Sequence, residues 1–133
     1  MTYLRPNGEW VFVPDAYQIN IIPDIIDIAE AASINLQTGW FPQKPKYPSA
    51  IFYLLSSTLD DYISNKARRV TFTYYFEVRA FHEAQKEEMA RNLCSALSLI
   101  YDARRSQYDD SFETSTGTYI KRITFKFKVK LGE

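Results

Sequence analysis

The chain of 133 residues carries 16 basic and 16 acidic side chains, and this zero net charge argues against a nucleic-acid binder that relies on a strong overall positive field. Its single cysteine, Cys94, excludes an internal disulfide and an all-cysteine metal site, and we expect it to be a small core residue. The length and a hydrophobic content of 46% are typical of one domain, residues 1–133, that buries a core of its own.

The N-terminal residues 1–14 predict an arm or an edge strand. Here a turn signal, Arg5–Gly8, precedes the short β-prone run Glu9–Val13. The start of the chain lacks the features of a secretion signal, and no apolar run approaches the roughly 20 residues that span a bilayer. We therefore expect a protein without a membrane segment that is made in the cytosol and stays there until it joins an assembly.

A first helix is predicted over Asp24–Ala32, since proline and aspartate favour the first turn of a helix. We expect it to reach back toward Ala16, near a second proline–aspartate pair, with a break at Pro23. The glycine and three prolines within Leu36–Pro48 then indicate an irregular, stiff connection.

Two strands joined by a hairpin, and then a second helix, are predicted next. The apolar run Ala50–Ser56 is typical of an interior strand, and the polar stretch Leu59–Arg68 predicts a long hairpin connection. Val70–Phe81 alternates between apolar and polar side chains, which predicts a strand buried on one face only. His82–Tyr101 has apolar residues at helical spacing, and this pattern predicts a helix that lies on the sheet.

The C-terminal region is predicted to be a polar, mobile loop, Ser106–Gly117, followed by a final strand, Thr118–Leu131. Alternate residues of this strand form an apolar, core-facing set: Ile123, Phe125, Phe127, Val129 and Leu131. The opposite face is basic and consists of Arg122, Thr124, Lys126, Lys128 and Lys130. Such a face is compatible with a solvated or protected sheet surface, a protein contact or a nucleic-acid contact.

Together these elements predict an α+β fold, namely a small, mainly antiparallel sheet with two helices packed on one face, in the order helix, strand, strand, helix, strand. The side chains that could carry chemistry are His82 and the pairs Asp60–Asp61 and Asp109–Asp110. We expect His82 to be a turn or cap residue, and the acidic pairs to be solvated, because neither has the spacing of an ion-binding loop. The sequence therefore predicts neither an enzyme nor a site for a metal or another cofactor.

Two stretches carry a resemblance to a known family. Tyr47–Tyr53 leads into the first core strand, and Val70–Val78 leads into Glu87–Leu93. With the order of elements and the length, they make Asp15–Leu131 similar to the bacteriophage tail terminator proteins, which are also called tail-to-head joining or tail completion proteins.

The resemblance implies a structural virion protein. Such proteins form a homo-oligomeric ring, a hexamer, at the head-proximal end of the tail tube, stop its polymerisation and join it to the head completion or connector protein. DNA passes through the ring only as cargo, and assembly takes place in the host cytoplasm. The residues expected to contact partners or the channel are Asp60, Asp61, Lys66, Arg68, Asp109, Asp110, Arg122, Lys126, Lys128 and Lys130.

A small intracellular α+β domain that binds nucleic acid is the alternative function. It would use the basic C-terminal strand and exposed tyrosines such as Tyr75. This alternative predicts salt-sensitive binding of DNA or RNA by the isolated protein, whereas the tail hypothesis predicts a ring with little such binding.

Overall fold

A computed structural model describes residues 1–64 and 66–132 of the chain. Two helices and seven strands are present in this part, and the fold is α+β, as predicted. In chain order they are β1 (Thr2–Leu4), β2 (Trp10–Phe12), α1 (Ile22–Ala31), β3 (Leu36–Thr38), β4 (Ser49–Asp60), β5 (Arg69–Ala80), α2 (Glu83–Leu97), β6 (Arg104–Glu113) and β7 (Thr118–Gly132).

All the strands belong to one curled sheet with the order β2-β1-β7-β5-β4-β3, and β6 also pairs with β7. The strand β5 is central, because β4 and β7 pair with it in antiparallel register along its whole length. The pair β3 and β4 is parallel and short, since it joins Leu36–Thr38 to Ala50–Phe52. The sheet is therefore mainly antiparallel but larger than the sequence predicted.

The core lies between the helices and one face of the sheet. Apolar side chains at alternate positions of β5 and β7 are buried, which confirms the predicted inward faces of both strands. The helix α1 adds Ile25 and Ala29, and α2 adds Leu93 and Leu97. Each fully buried isoleucine, leucine, valine or phenylalanine side chain contributes about 1.5–3 kcal/mol to folding. Burial also raises the pKa of the Tyr74 hydroxyl to about 12.

The helix α1 lacks its predicted extension toward Ala16, and α2 is shorter than predicted. The helix α1 begins at Ile22 with Pro23 in its first turn, and it does not reach Ala16. A separate turn of 3-10 helix, Ala16–Gln18, precedes it and is capped by Asp15, whose side chain accepts a hydrogen bond from the Tyr17 main-chain N–H. The helix α2 ends at Leu97, and Tyr101 lies beyond it with a φ of 49°, outside the right-handed helical region.

The prediction of a mobile loop over Ser106–Gly117 is wrong. Most of it belongs to β6, and only a tight turn separates Glu113 from Thr118. Because β6 is an edge strand with mostly exposed side chains, it needs no apolar alternation, and its main-chain hydrogen bonds to β7 provide the regular structure. Residues 1–14 were predicted as an arm or an edge strand, and the edge strand β2 lies within the predicted β-prone run Glu9–Val13. The strands β1 and β3 were missed because three residues are too few to show an alternating pattern.

Candidate functional site

The face of the sheet that points away from the helices is called the open face. One end of this face is covered by another part of the chain. The connection between β3 and β4 folds over this end, so that the Arg79 guanidinium lies 5.8 Å from the Trp40 ring centroid and 5.2 Å from that of Phe41. Ile51 and Ile120, beside Arg79 on the same face, are also buried. The prediction that β5 is buried on one face only is therefore wrong at this end.

A buried group of charges lies under this cover. Glu77, which is 1% exposed, accepts a hydrogen bond from Arg79 Nε at 2.6 Å and another from the Tyr75 hydroxyl. Arg122 Nε lies 3.4 Å from the same carboxylate. Burial would lower the pKa of Arg79, but the contacts with Glu77 and Glu113 together outweigh burial and raise that pKa. Each charge of the group therefore has an opposite charge close to it, and the ion pair between Glu77 and Arg122 links β5 to β7.

The remainder of the open face carries a row of lysines, namely Lys126, Lys128 and Lys130, which are exposed as predicted. They lie opposite Thr73, Thr71 and Arg69 of β5. Alternate residues of a strand are about 7 Å apart, so the ammonium groups can form a regularly spaced positive strip. Within the described residues, none of the three has a carboxylate at ion-pair distance.

The hairpin that joins β4 to β5 lies at the same end of the sheet as the lysine row. Asp60 accepts a hydrogen bond from the Thr71 hydroxyl at 2.6 Å, and Asp61 lies 3.3 Å from Arg69 Nε. The Arg68 carbonyl accepts a hydrogen bond from the Leu131 main chain, which holds the hairpin against β7. Lys66 pairs with Ile63 at the hairpin tip. The structure thus brings the predicted contact residues of this hairpin and of the lysine row together.

Asp109, Asp110 and Arg122 lie apart from that group, on β6 and the paired part of β7. Asp109 is 3.9 Å from Arg122, whereas Asp110 accepts a hydrogen bond from Lys86 on the helix side of the sheet. The acids are therefore strand residues with basic partners, and the prediction that they occupy a loop is wrong.

Lys86 is a buried charge that the sequence prediction missed. It is 2% exposed, and its Nζ lies 2.7 Å from Asp110 and 3.1 Å from Glu87. Burial would lower the pKa of Lys86, but the hydrogen bonds to the two carboxylates raise it. Its position four residues before the buried Ala90 was the available signal, because a charge on the apolar stripe of a helix requires a buried partner.

His82 and Cys94 occupy the places that the sequence predicted for them. His82 is the exposed N-cap residue of α2. Cys94 packs partly buried against the core, and burial raises the pKa of its thiol, which lowers its reactivity. Among residues 1–64 and 66–132, no group of three or more histidine, cysteine or acidic residues could hold a metal ion.

The margins of the sheet expose many large apolar side chains. Those on β4 and the adjoining hairpin are Tyr53, Leu54, Leu55, Tyr62 and Ile63. Those on the strands at the opposite margin are Trp10 and Phe12 of β2, and Tyr108 and Phe112 of β6. Single exposed apolar residues are ordinary, but groups of them along a margin are typical of surfaces that contact other proteins.

Two further findings bear on what the chain can be. No helix in the described part of the chain has the length and apolar character that crossing a membrane requires. In comparisons with known proteins, no family model and no curated protein matches this sequence.

Proposed function

We propose that the protein is a tail terminator of a bacteriophage, a virion protein whose copies form a ring at the head-proximal end of the tail tube. The ring ends the growth of the tube and joins it to the head connector. The observation that carries this proposal is the concentration of exposed apolar side chains at both margins of the sheet, as in Leu54 and Phe112. A protomer of a ring must bind a neighbour on each side, so it needs two such surfaces.

The order of elements also supports the proposal. The resemblance rests on a helix, an irregular link, a strand, a hairpin, a strand, a helix and a final strand. The corresponding elements are α1, the connection to β4, β4, β5, α2 and β7, with β6 added before β7. Both helices pack into one core with the sheet, which supports the expectation of a sheet with two helices on one face.

The lysine row suits the wall of a channel through which DNA passes. Lys126, Lys128 and Lys130 present separate positive charges to solvent, and exposed point charges interact with phosphates only weakly at physiological salt. The chain as a whole is neutral, so the attraction stays local. A strip of this kind can hold DNA near the wall without retaining it.

The proposal is tested by adding the purified protein to growing tubes of the tail tube protein from the same phage. We expect electron microscopy to show a ring with a central opening at one end of each tube, and tubes that stop growing. A Glu88→Lys variant, altered at an exposed position of α2, is the matched control and should act as the parent does. The proposal is wrong if the protein forms no ring and tube growth is unchanged.

A nucleic-acid-binding domain is the second candidate, and the exposed lysine row favours it. The aromatic side chains favour it less, because the Tyr75 hydroxyl is bonded to Glu77 and its ring lies 4.9 Å from that of Tyr53. Base stacking requires a free aromatic face, which the Tyr75 ring offers only in part. Binding of the isolated protein to short DNA or RNA that weakens steeply with salt would favour this candidate over a tail protein.

A further inference from the structure

At each lateral margin of the sheet, one strand has an edge without a hydrogen-bonded neighbour strand in the described part of the chain. The strand β3 covers β4 only at Ala50–Phe52, so residues 53–60 of β4 pair with β5 alone. On the other side, β6 pairs with β7 alone along Arg104–Glu113. Within the described residues, the main-chain N–H and C=O groups on these two edges have no strand partner. Unpaired edges of this length are places where another strand can add.

The two edges run in opposite directions. The strands β4, β5, β7 and β6 are each antiparallel to the next, so β4 and β6 point opposite ways. Copies related by rotation about a ring axis keep the same orientation. When two such copies stand side by side, β6 of one is therefore antiparallel to β4 of the next, the better-bonded arrangement for added strands.

We infer that β6 of one copy pairs antiparallel with residues 53–60 of β4 in the next copy, so that one sheet continues around the ring. This inference rests on the proposed function and names the surface by which the ring forms. The partner that fits both edges is a second copy of this chain, because one edge complements the other in direction, charge and apolar character.

The charges of the two edges match in an antiparallel arrangement. The strand β4 ends at Asp60 and is followed by Asp61, whose side chain is 56% exposed. The strand β6 begins at Arg104, whose side chain is 80% exposed. Antiparallel pairing brings the end of β4 to the start of β6, so this arginine of one copy meets the aspartates of the next.

The apolar side chains match on the helix side of the sheet. Leu54 points to that side because it lies opposite Tyr74, and it is 45% exposed. Tyr108 and Phe112 of β6 point to the same side and are 51% and 50% exposed. When Arg104 pairs with Asp60, Leu54 lies opposite Asp110 of the next copy, so Tyr108 and Phe112 are its diagonal neighbours on the same side, within reach of its side chain.

The offset between the two edges fits a closed ring. Within one copy, Arg104 pairs with Lys126 of β7, Lys126 pairs with Thr73 of β5, and Thr73 pairs with Ser56 of β4. Arg104 and Ser56 are therefore at the same height in the sheet. Pairing Arg104 with Asp60 instead shifts the next copy by four residues, about 13 Å at the usual rise of a strand. The four strands β4, β5, β7 and β6 of each copy span about 19 Å across the sheet. A shift of about 13 Å over this width tilts the strands by about 35° from the ring axis, within the usual range for closed sheets.

Engineered disulfides test this pairing in the assembled ring. In a Cys94→Ser background, Thr58→Cys is combined with Gln107→Cys. Both side chains are exposed on the open face, and they lie opposite each other when Arg104 pairs with Asp60, because an irregularity between Arg105 and Gln107 adds one residue to β6. Ser56→Cys with Gln107→Cys samples a register shifted by two residues. Thr58→Cys with Asn92→Cys, on the exposed side of α2, is the matched control.

After mild oxidation of rings formed on tail tubes, we expect denaturing gels to show a ladder of covalent oligomers up to the full ring for an edge pair, and none for the control. A ladder with Thr58→Cys supports the stated register, and one with Ser56→Cys supports the same edges in the shifted register. Rings that form but give no ladder with either pair overturn the edge pairing and leave the proposed function standing. If no variant and no parent protein forms a ring, both proposals are wrong.

Discussion

Lys86 Nζ donates a hydrogen bond of 2.7 Å to Asp110 Oδ1, although the two residues are 24 positions apart in the chain. The contact fastens the start of α2 to β6, a strand with few buried side chains of its own. Glu87 and Lys121 complete the group, with Lys121 Nζ 2.8 Å from Glu87. A lysine that is 2% exposed requires such partners, because an uncompensated buried charge is costly.

Asp110→Asn should therefore destabilise the fold. The amide keeps the shape of the side chain but removes the nearer of the two carboxylate charges that compensate Lys86, and we expect a loss of about 1–3 kcal/mol in the free energy of unfolding. Urea denaturation measures it. Asp109→Asn is the control on the same strand, because Asp109 is 67% exposed and lies 3.9 Å from its partner, so its effect should be under about 0.5 kcal/mol. Equal effects of the two substitutions would contradict the role given to Lys86.

The same group predicts how the effect depends on pH. The hydrogen bond from Lys121 lowers the pKa of Glu87. Burial would raise the pKa of Asp110, but its contacts with Lys86 and Lys121 together outweigh burial and lower that pKa. Lowered carboxyl pKa values give stability that is present above the unfolded-state pKa and is lost as the pH falls through the folded-state pKa. The stability difference between the parent and Asp110→Asn should thus be constant near neutral pH and shrink as the pH falls below about 4, the unfolded-state pKa of a carboxyl group. A difference that stays constant with pH would show that the charge is not its origin.

How far the sequence predicts the molecule depends on whether an element buries an apolar face. The strands β5 and β7 and the helix α2 do so, and their patterns located them to within a few residues. The edge strand β6 does not, since its order comes from main-chain pairing with β7. The lysines of the open face were found from alternation alone, whereas the burial of Arg79 depends on a connection that folds over it from a distant part of the sequence.

Glu77→Gln tests the compensation of the buried charges on the open face. Arg79 is 7% exposed, and among the described residues its remaining ion pair would be the 3.3 Å contact with Glu113. Breaking a buried pair on one side costs about 3–5 kcal/mol, and we expect a decrease of that order in the free energy of unfolding. Glu113→Gln is the control, because the side chain of Glu113 is 36% exposed and water can replace its charge. A decrease for Glu77→Gln no larger than the control's would mean that the buried charges are not coupled.

Tyr101→Phe should loosen the N-terminal hairpin. Asp24, with a side chain 11% exposed, accepts hydrogen bonds from the Tyr101 hydroxyl and from Arg5, which follows β1. Without the hydroxyl, we expect a loss of about 1 kcal/mol and faster hydrogen exchange of the β1 amides. Tyr17→Phe, at a side chain that is 53% exposed, should leave both quantities unchanged. Unaltered exchange in β1 after Tyr101→Phe would show that the arm is held by its pairing with β7 alone.

Charge reversal in the lysine row tests whether this row lines the channel. The double variant Lys126→Glu and Lys128→Glu changes exposed side chains on the open face, away from the strand edges. If the row faces the channel, rings should still form, but DNA passage should fall several-fold, because the wall now repels phosphates. Passage is measured as DNA released from particles assembled with each variant. Lys44→Glu with Lys46→Glu makes the same charge change on the exposed connection before β4 and should release DNA as the parent does. Unchanged assembly and unchanged release in the first variant would remove the lysine row from the channel wall.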